Sequence, residues 1–319
     1  MPDAPVAWTP PTLRPIRRVI VAVDLSIESA GAVHAAGWLA ERYGAELHAA
    51  HVIEPLSATT EQALPELAEA HDNNAREELE KFAGTHGLEE AQLHVRKGPA
   101  VRELLDVVEE VGADLLVIGR YGPGGLKSGR LGSIAGPLLR RCPAPVLLAQ
   151  PERREIYRSV LVASDLEGDP DRELLRGMEL AERLGLDEIA LAHAFPVPHG
   201  YHRVLTWADA VEKLKTVYTE RANAAIERVQ AWRTAQSDAE VSVRLLIEEG
   251  ASHTRVPEIA AREGMDVIVM NPHARSGAAR LLLPPTAERI MQGANCSVWA
   301  ERDPKAYEGI IAALKRLVE

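Results

Sequence analysis

The sequence predicts an α/β protein built from two tandem doubly wound domains, each with a parallel sheet between helices. Short apolar runs such as 19–24 and 115–118 alternate with amphipathic stretches, and this alternation favours right-handed crossovers onto one parallel sheet. The same order of elements then begins again, because residues 156–169 restate 17–29 and residues 264–271 restate 112–119. Self-similarity over about 150 residues indicates two copies of one domain.

Length, charge and cysteine content limit the class of protein. A chain of 319 residues fits about two domains, and its formal net charge of −11 disfavours attraction to nucleic acid or anionic membranes. Two cysteines, Cys142 and Cys296, are too few for a secreted disulfide framework. No apolar run approaches the ~20 residues that cross a bilayer, and the start of the chain lacks the apolar core of a signal peptide. We therefore expect a cytoplasmic protein with no nucleic-acid or membrane partner.

In the first half, apolar spacing and chain breakers predict the elements in order. Residues 1–16 contain several prolines and are predicted to form an extended, mobile tail. Strands are predicted at 19–24, 47–55, 92–98, 115–118 and 146–149. Helices are predicted from Ser26 to Gly44, over 57–86 with an interruption or bend at Pro65, over 101–112, and after Gly132. These elements define a first domain at 17–151.

The second half repeats this order from a boundary near 151–156, where Pro151 and a charged run interrupt the apolar pattern. Buried strands are predicted at the start of the repeat, within 264–271 and at 296–300, and a long helical stretch at 205–235. The second domain is therefore predicted at 156–302, followed by a C-terminal helix at 303–319 whose apolar residues recur at helical spacing.

Residues 114–133 carry the strongest functional pattern. An apolar strand is followed by Gly119, Gly122 and then Gly132-Ser133, which lead into a helix. Glycines allow backbone N–H groups to approach an anion closely, and a helix start adds free N–H donors. We interpret the stretch as a phosphate cradle. Lys127 and Arg130 lie in its nine-residue loop, where they would either neutralise phosphate charge or remain solvated.

Asp24 ends the first predicted strand as Gly119 ends the fourth. In doubly wound sheets a ligand lies beyond the carboxyl ends of strands where the winding reverses. If the two strands are neighbours, the Asp24 carboxylate and the cradle face one crevice, which suits a nucleotide. Asp24 would otherwise cap the following helix, and Ser133 would be a phosphate ligand, an autophosphorylation site or a plain helix cap.

These motifs resemble the universal stress protein family in its tandem form. The VAVDLS start, the internal VRKGPA glycine and the Gly-x2-Gly-x9-Gly-Ser motif carry the resemblance, which covers about residues 17–302. It implies a five-stranded parallel sheet per domain, of the adenine nucleotide alpha hydrolase-like type. It also implies binding of ATP, or of AMP or ADP, with Mg²⁺ held through the nucleotide. Final strands pair antiparallel across the family's dimer interface, so 146–149 and 297–300 are expected to pair within this chain, with a homodimer as a further assembly.

By position, the resemblance also implies a set of nucleotide contacts. Asp24 and Val52 would lie near adenine or ribose. The remaining contacts would surround ribose and phosphates: Ile118, Gly119, Tyr121, Gly122, Gly132, Ser133 and Ile134.

The second copy departs from this motif at the cradle. Counting at the same spacing, Asn271, Ala274, Pro284 and Pro285 replace the glycines and the serine. Proline has no N–H to donate, so we expect a phosphate to lose its donors there. The second domain is predicted to keep the fold without a triphosphate cradle, and one nucleotide is expected per chain.

Three functions fit these observations. The first is a nucleotide-binding stress-response or signalling protein whose output is a conformational or partner change. The second is a slow ATPase or autokinase, and the third is a scaffold that uses its second domain without nucleotide. No catalytic triad, P-loop lysine or carboxylate pair can be placed, so we expect no catalytic residues and at most weak ATP hydrolysis or autophosphorylation. His193, His199 and His202 lack a ligand spacing typical of metal sites and are interpreted as surface histidines.

Overall fold

The computed structural model describes residues 8–55, 58–122, 131–151, 157–166, 170–197, 206–237, 240–272 and 285–303. The first-half strands are β1 (Arg18–Val23), β2 (Glu46–Ile53), β3 (Gln92–Lys97), β4 (Leu115–Gly119) and β5 (Val146–Ala149). The second-half strands are β6 (Val160–Ala163), β7 (Glu188–Phe195), β8 (Ser242–Glu249), β9 (Val267–Met270) and β10 (Ser297–Ala300). The helices are α1 (Ala30–Tyr43), α2 (Ala58–Ala63), α3 (Pro65–His86), α4 (Ala100–Val111), α5 (Ala135–Arg141), α6 (Asp171–Leu184), α7 (Trp207–Thr234), α8 (Ser252–Arg262) and α9 (Pro285–Gly293).

All ten strands form one sheet in the order β3-β2-β1-β4-β5-β10-β9-β6-β7-β8. Within each half the neighbouring strands are parallel, as in the pairings of β1 with β2 and with β4. The second half repeats the first in reverse order across the sheet, so the two halves are related by a pseudo-two-fold axis. The predicted fold class is confirmed.

The two halves join through β5 and β10, the sheet's one antiparallel pair among the described strands. Leu148 lies opposite Val298, and Leu147 lies opposite Trp299. Both four-residue strands are buried throughout. This pairing confirms the expected internal joint and hides two apolar edges that would otherwise template association with other chains.

The apolar core covers both faces of the sheet because the strands are buried on both sides. One face packs against α1, α3, α6 and α7, and the other against α4, α5, α8 and α9. Each core runs without interruption across the β5–β10 joint, with Trp299 contributing to the first and Val298 to the second. The sheet therefore fixes the positions of all ten strand ends relative to one another.

The helices expected over 57–86 and 205–235 are present, the first divided near Pro65. Proline in a helix interior removes a hydrogen bond but suits the first turn, and α2 accordingly ends at Ala63 while α3 begins at Pro65. The long helix expected over 205–235 is α7, and the hydroxyl of its N-cap residue Thr206 accepts a hydrogen bond from the Asp209 N–H at 3.2 Å. None of the described helices combines the length and apolar character needed to cross a membrane.

Residues 8–16, part of the predicted mobile tail, have no regular secondary structure but contact the second half. The Trp8 indole Nε1 donates to Asp171 Oδ2 at 2.6 Å, and Arg172 donates to the Thr12 carbonyl at 2.7 Å. Arg176 donates to the Arg14 carbonyl at 2.8 Å. These contacts hold this part of the chain against α6. The predicted helix at 303–319 lies outside the described residues beyond Asp303.

Candidate functional site

The candidate site lies beyond the carboxyl ends of β1 and β4. These strands are neighbours, with Val21 opposite Val117, and the winding direction reverses between them. Asp24 directly follows β1, and Gly119 is the last residue of β4. The arrangement is the crevice in which open α/β sheets bind ligands.

Asp24 is exposed at the opening of this crevice. Its Oδ1 atom accepts hydrogen bonds from the backbone N–H and the hydroxyl of Ser26. Its Oδ2 atom points towards the segment from Gly119 to Gly132, hereafter the glycine loop, because a Cβ on Gly122 would lie 3.7 Å from it. One oxygen therefore orients the carboxylate, and the other faces the space beside the loop.

The glycine loop closes on itself where its two described ends meet. The Gly132 N–H donates to the Arg120 carbonyl at 3.3 Å, and a Cβ on Gly132 would lie 3.6 Å from the Gly122 nitrogen. A side chain at Gly122 would therefore project towards Asp24, and a side chain at Gly132 would project towards the backbone of Gly122 and Arg120. Residues 123–130, including Lys127 and Arg130, lie outside the described residues.

Ser133 and Ile134 form the start of α5. Ser133 is exposed, and Ile134 precedes the first helical residue without a side-chain hydrogen bond capping the helix. The Gly136 N–H donates to the Gly132 carbonyl at 3.4 Å, so the helical turn begins directly at the loop. Ser133 therefore lies between the glycine backbone and the first turn of α5.

Apolar residues line the same end of the sheet. Ile118 in β4 belongs to the core on the α4 and α5 face, and the half-buried Val52 near the end of β2 packs against that core. Val23 lies opposite His51 in the β1–β2 register, so Asp24 and Val52 come next at the same edge. Together they provide an apolar wall beside a carboxylate.

His51 is a residue that the sequence interpretation missed. Its Nδ1 atom lies 2.8 Å from the Val23 carbonyl, directly before Asp24. In the second half, His193 Nδ1 lies 2.9 Å from the Ser164 carbonyl, directly before Asp165. Each histidine thus ties the second strand to the turn that carries the aspartate. Alignment of AHVIEP with AHAFPV would have revealed the repeat.

Arg120 and Tyr121, between the first two glycines, have different environments. Tyr121 is half-buried at the site, whereas the Arg120 side chain is 2% exposed and extends into the second half. Its guanidinium donates to the carbonyls of Met291 and Ala294. Burial lowers the pKa of Arg120 from its usual value. The sequence interpretation assigned Arg120 no role.

The matching region of the second half differs in its chemistry. Asp165 follows β6 and Asn271 follows β9, so the strand ends are equivalent to those of the first half. Pro285 is the first residue of α9, where it offers no N–H donor. Pro284 and Ala274 lie outside the described residues.

Side chains of α7 lie against the second-half turn. The Tyr218 ring lies 4.1 Å from the His193 ring, and Arg221 donates to the Leu166 carbonyl at 3.4 Å. His193 is 3% exposed, so its interpretation as a surface histidine is wrong; His199 and His202 lie outside the described residues. Within the described ranges, no three His, Cys, Asp or Glu side chains form a group suited to a metal ion.

Comparison with known proteins gives consistent matches along most of the chain. The Universal stress protein family matches residues 15–150 and 156–302. A universal stress protein of Mycolicibacterium smegmatis is 29% identical over 298 residues, covering 89% of this chain and 96% of the relative.

Two solved structures share the two-domain fold. A Pseudomonas aeruginosa protein described as functionally unknown superposes with a TM-score of 0.63 at 19% identity, covering 95% of this chain and 98% of its own. A universal stress protein from Archaeoglobus fulgidus superposes with a TM-score of 0.62 at 16% identity, covering 90% and 98%. At these identities the superpositions establish the fold.

Proposed function

We propose that the first half of this chain binds an adenine nucleotide such as ATP. The proposal starts from the fact that the chain belongs to the universal stress protein family, with two copies of the family's domain in tandem. The observation that carries the proposal is the convergence of Asp24, Gly122 and Gly132 at the reversal point of the sheet. Open glycine backbone beside a helix start favours phosphate, and a carboxylate beside an apolar wall favours a nucleoside. The combination matches both parts of a nucleotide.

The proposed contacts divide by chemistry. Asp24 and Val52 would contact the adenine or the ribose, and Ile118 would form part of the apolar wall. The phosphates would lie against the backbone of Gly119, Gly122 and Gly132, with Ser133 adding a hydroxyl. Tyr121 and Ile134 would border the ligand, and Lys127 and Arg130 would supply positive charge from the loop.

The output that we propose is a conformational or partner change in stress response or signalling. A bound triphosphate would bring Mg²⁺ with it, held through its phosphate oxygens. ATP hydrolysis and autophosphorylation are not part of this proposal. The cytoplasmic location and a homodimer stay predictions, as do the domain boundaries at 17–151 and 156–302.

Calorimetric titration with ATP, AMP and cyclic AMP tests this function. We expect saturation near one nucleotide per chain, because Pro285 removes a donor from the second-half position. The Gly132→Val side chain would project over the Gly122 N–H, so this variant is expected to lose ATP binding. Gly84→Val is the matched control, since a Cβ there meets no atom within 4 Å. Two nucleotides per chain, or unchanged affinity in Gly132→Val, would contradict the proposal.

A further inference from the structure

Arg120 belongs to the glycine loop of the first half, but its side chain ends in the second half. The guanidinium donates to the carbonyls of Met291 and Ala294, at and just beyond the C-terminal end of α9. The guanidinium carbon also lies 6.0 Å from the centre of the Tyr121 ring. The C-terminal carbonyls of a helix carry partial negative charge, so α9 supplies the counter-charge for this buried cation.

The backbone of the same residue holds the loop. The Arg120 N–H donates to the Ala149 carbonyl at the end of β5 at 3.0 Å. Its carbonyl accepts from the Gly132 N–H at 3.3 Å. One residue therefore connects both described ends of the loop, the central strand β5 and the far half of the molecule.

Among the described residues, the second half shows no equivalent connection from the chain that follows β9. Residue 272, which matches Arg120 at the 152-residue spacing, is Pro272 and has no cationic side chain. The matching α5 carbonyl, that of Leu139, instead accepts from Arg302, which follows β10. Among the described residues, each of these helix ends thus receives an arginine from across the joint, and of the two arginines only Arg120 lies in the glycine loop.

We propose that Arg120 couples the nucleotide site to the docking of the second half, so that phosphate at the loop stabilises the end of α9 and the docked α9 raises nucleotide affinity. The inference rests on the proposed function of the loop. Because coupling between two sites is reciprocal, an effect of nucleotide on α9 requires an equal effect of α9 on nucleotide affinity. Arg120 is a positioning residue in this scheme, since its guanidinium ends at the carbonyls of α9 and acts on the site through the loop backbone.

Three variants of the full chain separate coupling from simple loss of interface contacts. Arg120→Met keeps the apolar stem but removes both donors, and Arg120→Lys keeps the charge with fewer donors. Gln150→Met is the matched control. Gln150 Nε2 donates to the Cys296 carbonyl at 3.0 Å and to the same Ala294 carbonyl at 3.4 Å, but Gln150 lies outside the glycine loop.

Titration with ATP gives the first measurement. We expect the dissociation constant to rise about tenfold in Arg120→Met, within the usual range of coupling effects, with partial rescue in Arg120→Lys and little change in Gln150→Met. Hydrogen exchange gives the second measurement. ATP should slow exchange at 288–296 in the wild type and in Gln150→Met, but not in Arg120→Met at saturating ATP. Unchanged affinity and retained protection in Arg120→Met would overturn the coupling.

Exchange without ligand distinguishes failure of this inference from failure of the proposed function. Arg120→Met should exchange faster than wild type at both 119–122 and 288–296, and Gln150→Met only at 288–296. If the wild type binds no ATP, the proposed function fails. If hydrogen exchange at 119–122 is equally fast in the wild type and in Arg120→Met without ligand, the role of Arg120 in holding the loop is overturned. If Arg120→Met does not fold, Arg120→Lys undergoes the same comparison with Gln150→Met.

Discussion

Leu25, the residue after Asp24, has a φ of 61°, in the left-handed region that side chains with a Cβ disfavour. Leu166, after Asp165, has a φ of 52° at the matching position. The same strained turn thus follows the aspartate in both halves, including the half whose glycine motif is lost. Strain of this kind persists only where the surrounding structure enforces it, here at the mouth of the candidate site.

Replacing Leu25 by glycine and by alanine tests that strain. Both variants lose the same packing of the half-buried leucine, but only glycine relaxes the left-handed backbone. We expect Leu25→Gly to have a free energy of unfolding about 1 kcal/mol higher than Leu25→Ala, the reverse of the usual order. Urea denaturation measures the difference. A less stable glycine variant would show that the turn is unstrained.

At the scale of single elements, α1 contains two glycines with opposite roles. A Cβ on Gly31 would lie 2.1 Å from the Gln150 carbonyl oxygen, because the first turn of α1 packs on the chain after β5. A Cβ on Gly37 would find Leu47 Cδ2 at 4.0 Å as its nearest neighbour. Helical spacing in the sequence cannot distinguish them, since the contact at Gly31 depends on a segment more than a hundred residues away.

Alanine at each position should therefore change stability in opposite directions. Gly31→Ala is expected to lower the free energy of unfolding by about 1–3 kcal/mol, as overpacking does. Gly37→Ala is expected to raise it by about 0.5–1 kcal/mol, because alanine loses less conformational entropy in a helix. Chemical denaturation of the two variants beside wild type checks both signs, and equal effects would contradict the close approach.

The pair of strands β2 and β3 carries two histidines whose protonation opposes folding. His48 Nδ1 and His94 Nε2 lie 3.0 Å apart. Burial lowers the pKa of His48, against the attraction of Glu46, and Arg18 also lowers it. Burial, His48 and Arg96 lower the pKa of His94, against Glu110. The folded protein therefore binds these protons less readily than the unfolded chain.

The sign of the resulting pH dependence follows from that difference. With both histidines neutral, above the unfolded histidine pKa of about 6.5, the free energy of unfolding is unaffected by their protonation. It declines as pH falls below that value, because the unfolded chain takes up protons more readily than the folded protein. His94→Gln removes one of the two titrating groups whose pKa is lowered by folding. We expect its unfolding free energy to fall less steeply with decreasing pH than that of wild type. Parallel curves from denaturation at several pH values would exclude the pair as the cause.

At the scale of the whole molecule, strand order explains what the sequence could predict. Asp24 and Gly119 could be placed in one crevice because both follow buried apolar runs, and parallel strands end at one edge. The partner of Arg120 could not be predicted, because Met291 lies 171 positions away and is brought near only by the docking of the halves. Burial of His193 likewise depends on where α7 packs, which the helical spacing of α7 does not specify.

The β5–β10 joint predicts the behaviour of the first half alone. In the full chain Val146–Ala149 is buried and pairs antiparallel with β10, so residues 1–151 would expose an apolar strand edge. Two copies related by a two-fold axis can pair these edges antiparallel, which forms an isologous interface like the internal joint. We expect this fragment to sediment at twice its monomer mass. Leu148→Lys should weaken the association of this fragment, because it places like charges close together across the axis. If the unsubstituted fragment is monomeric instead, the joint depends on contacts outside β5.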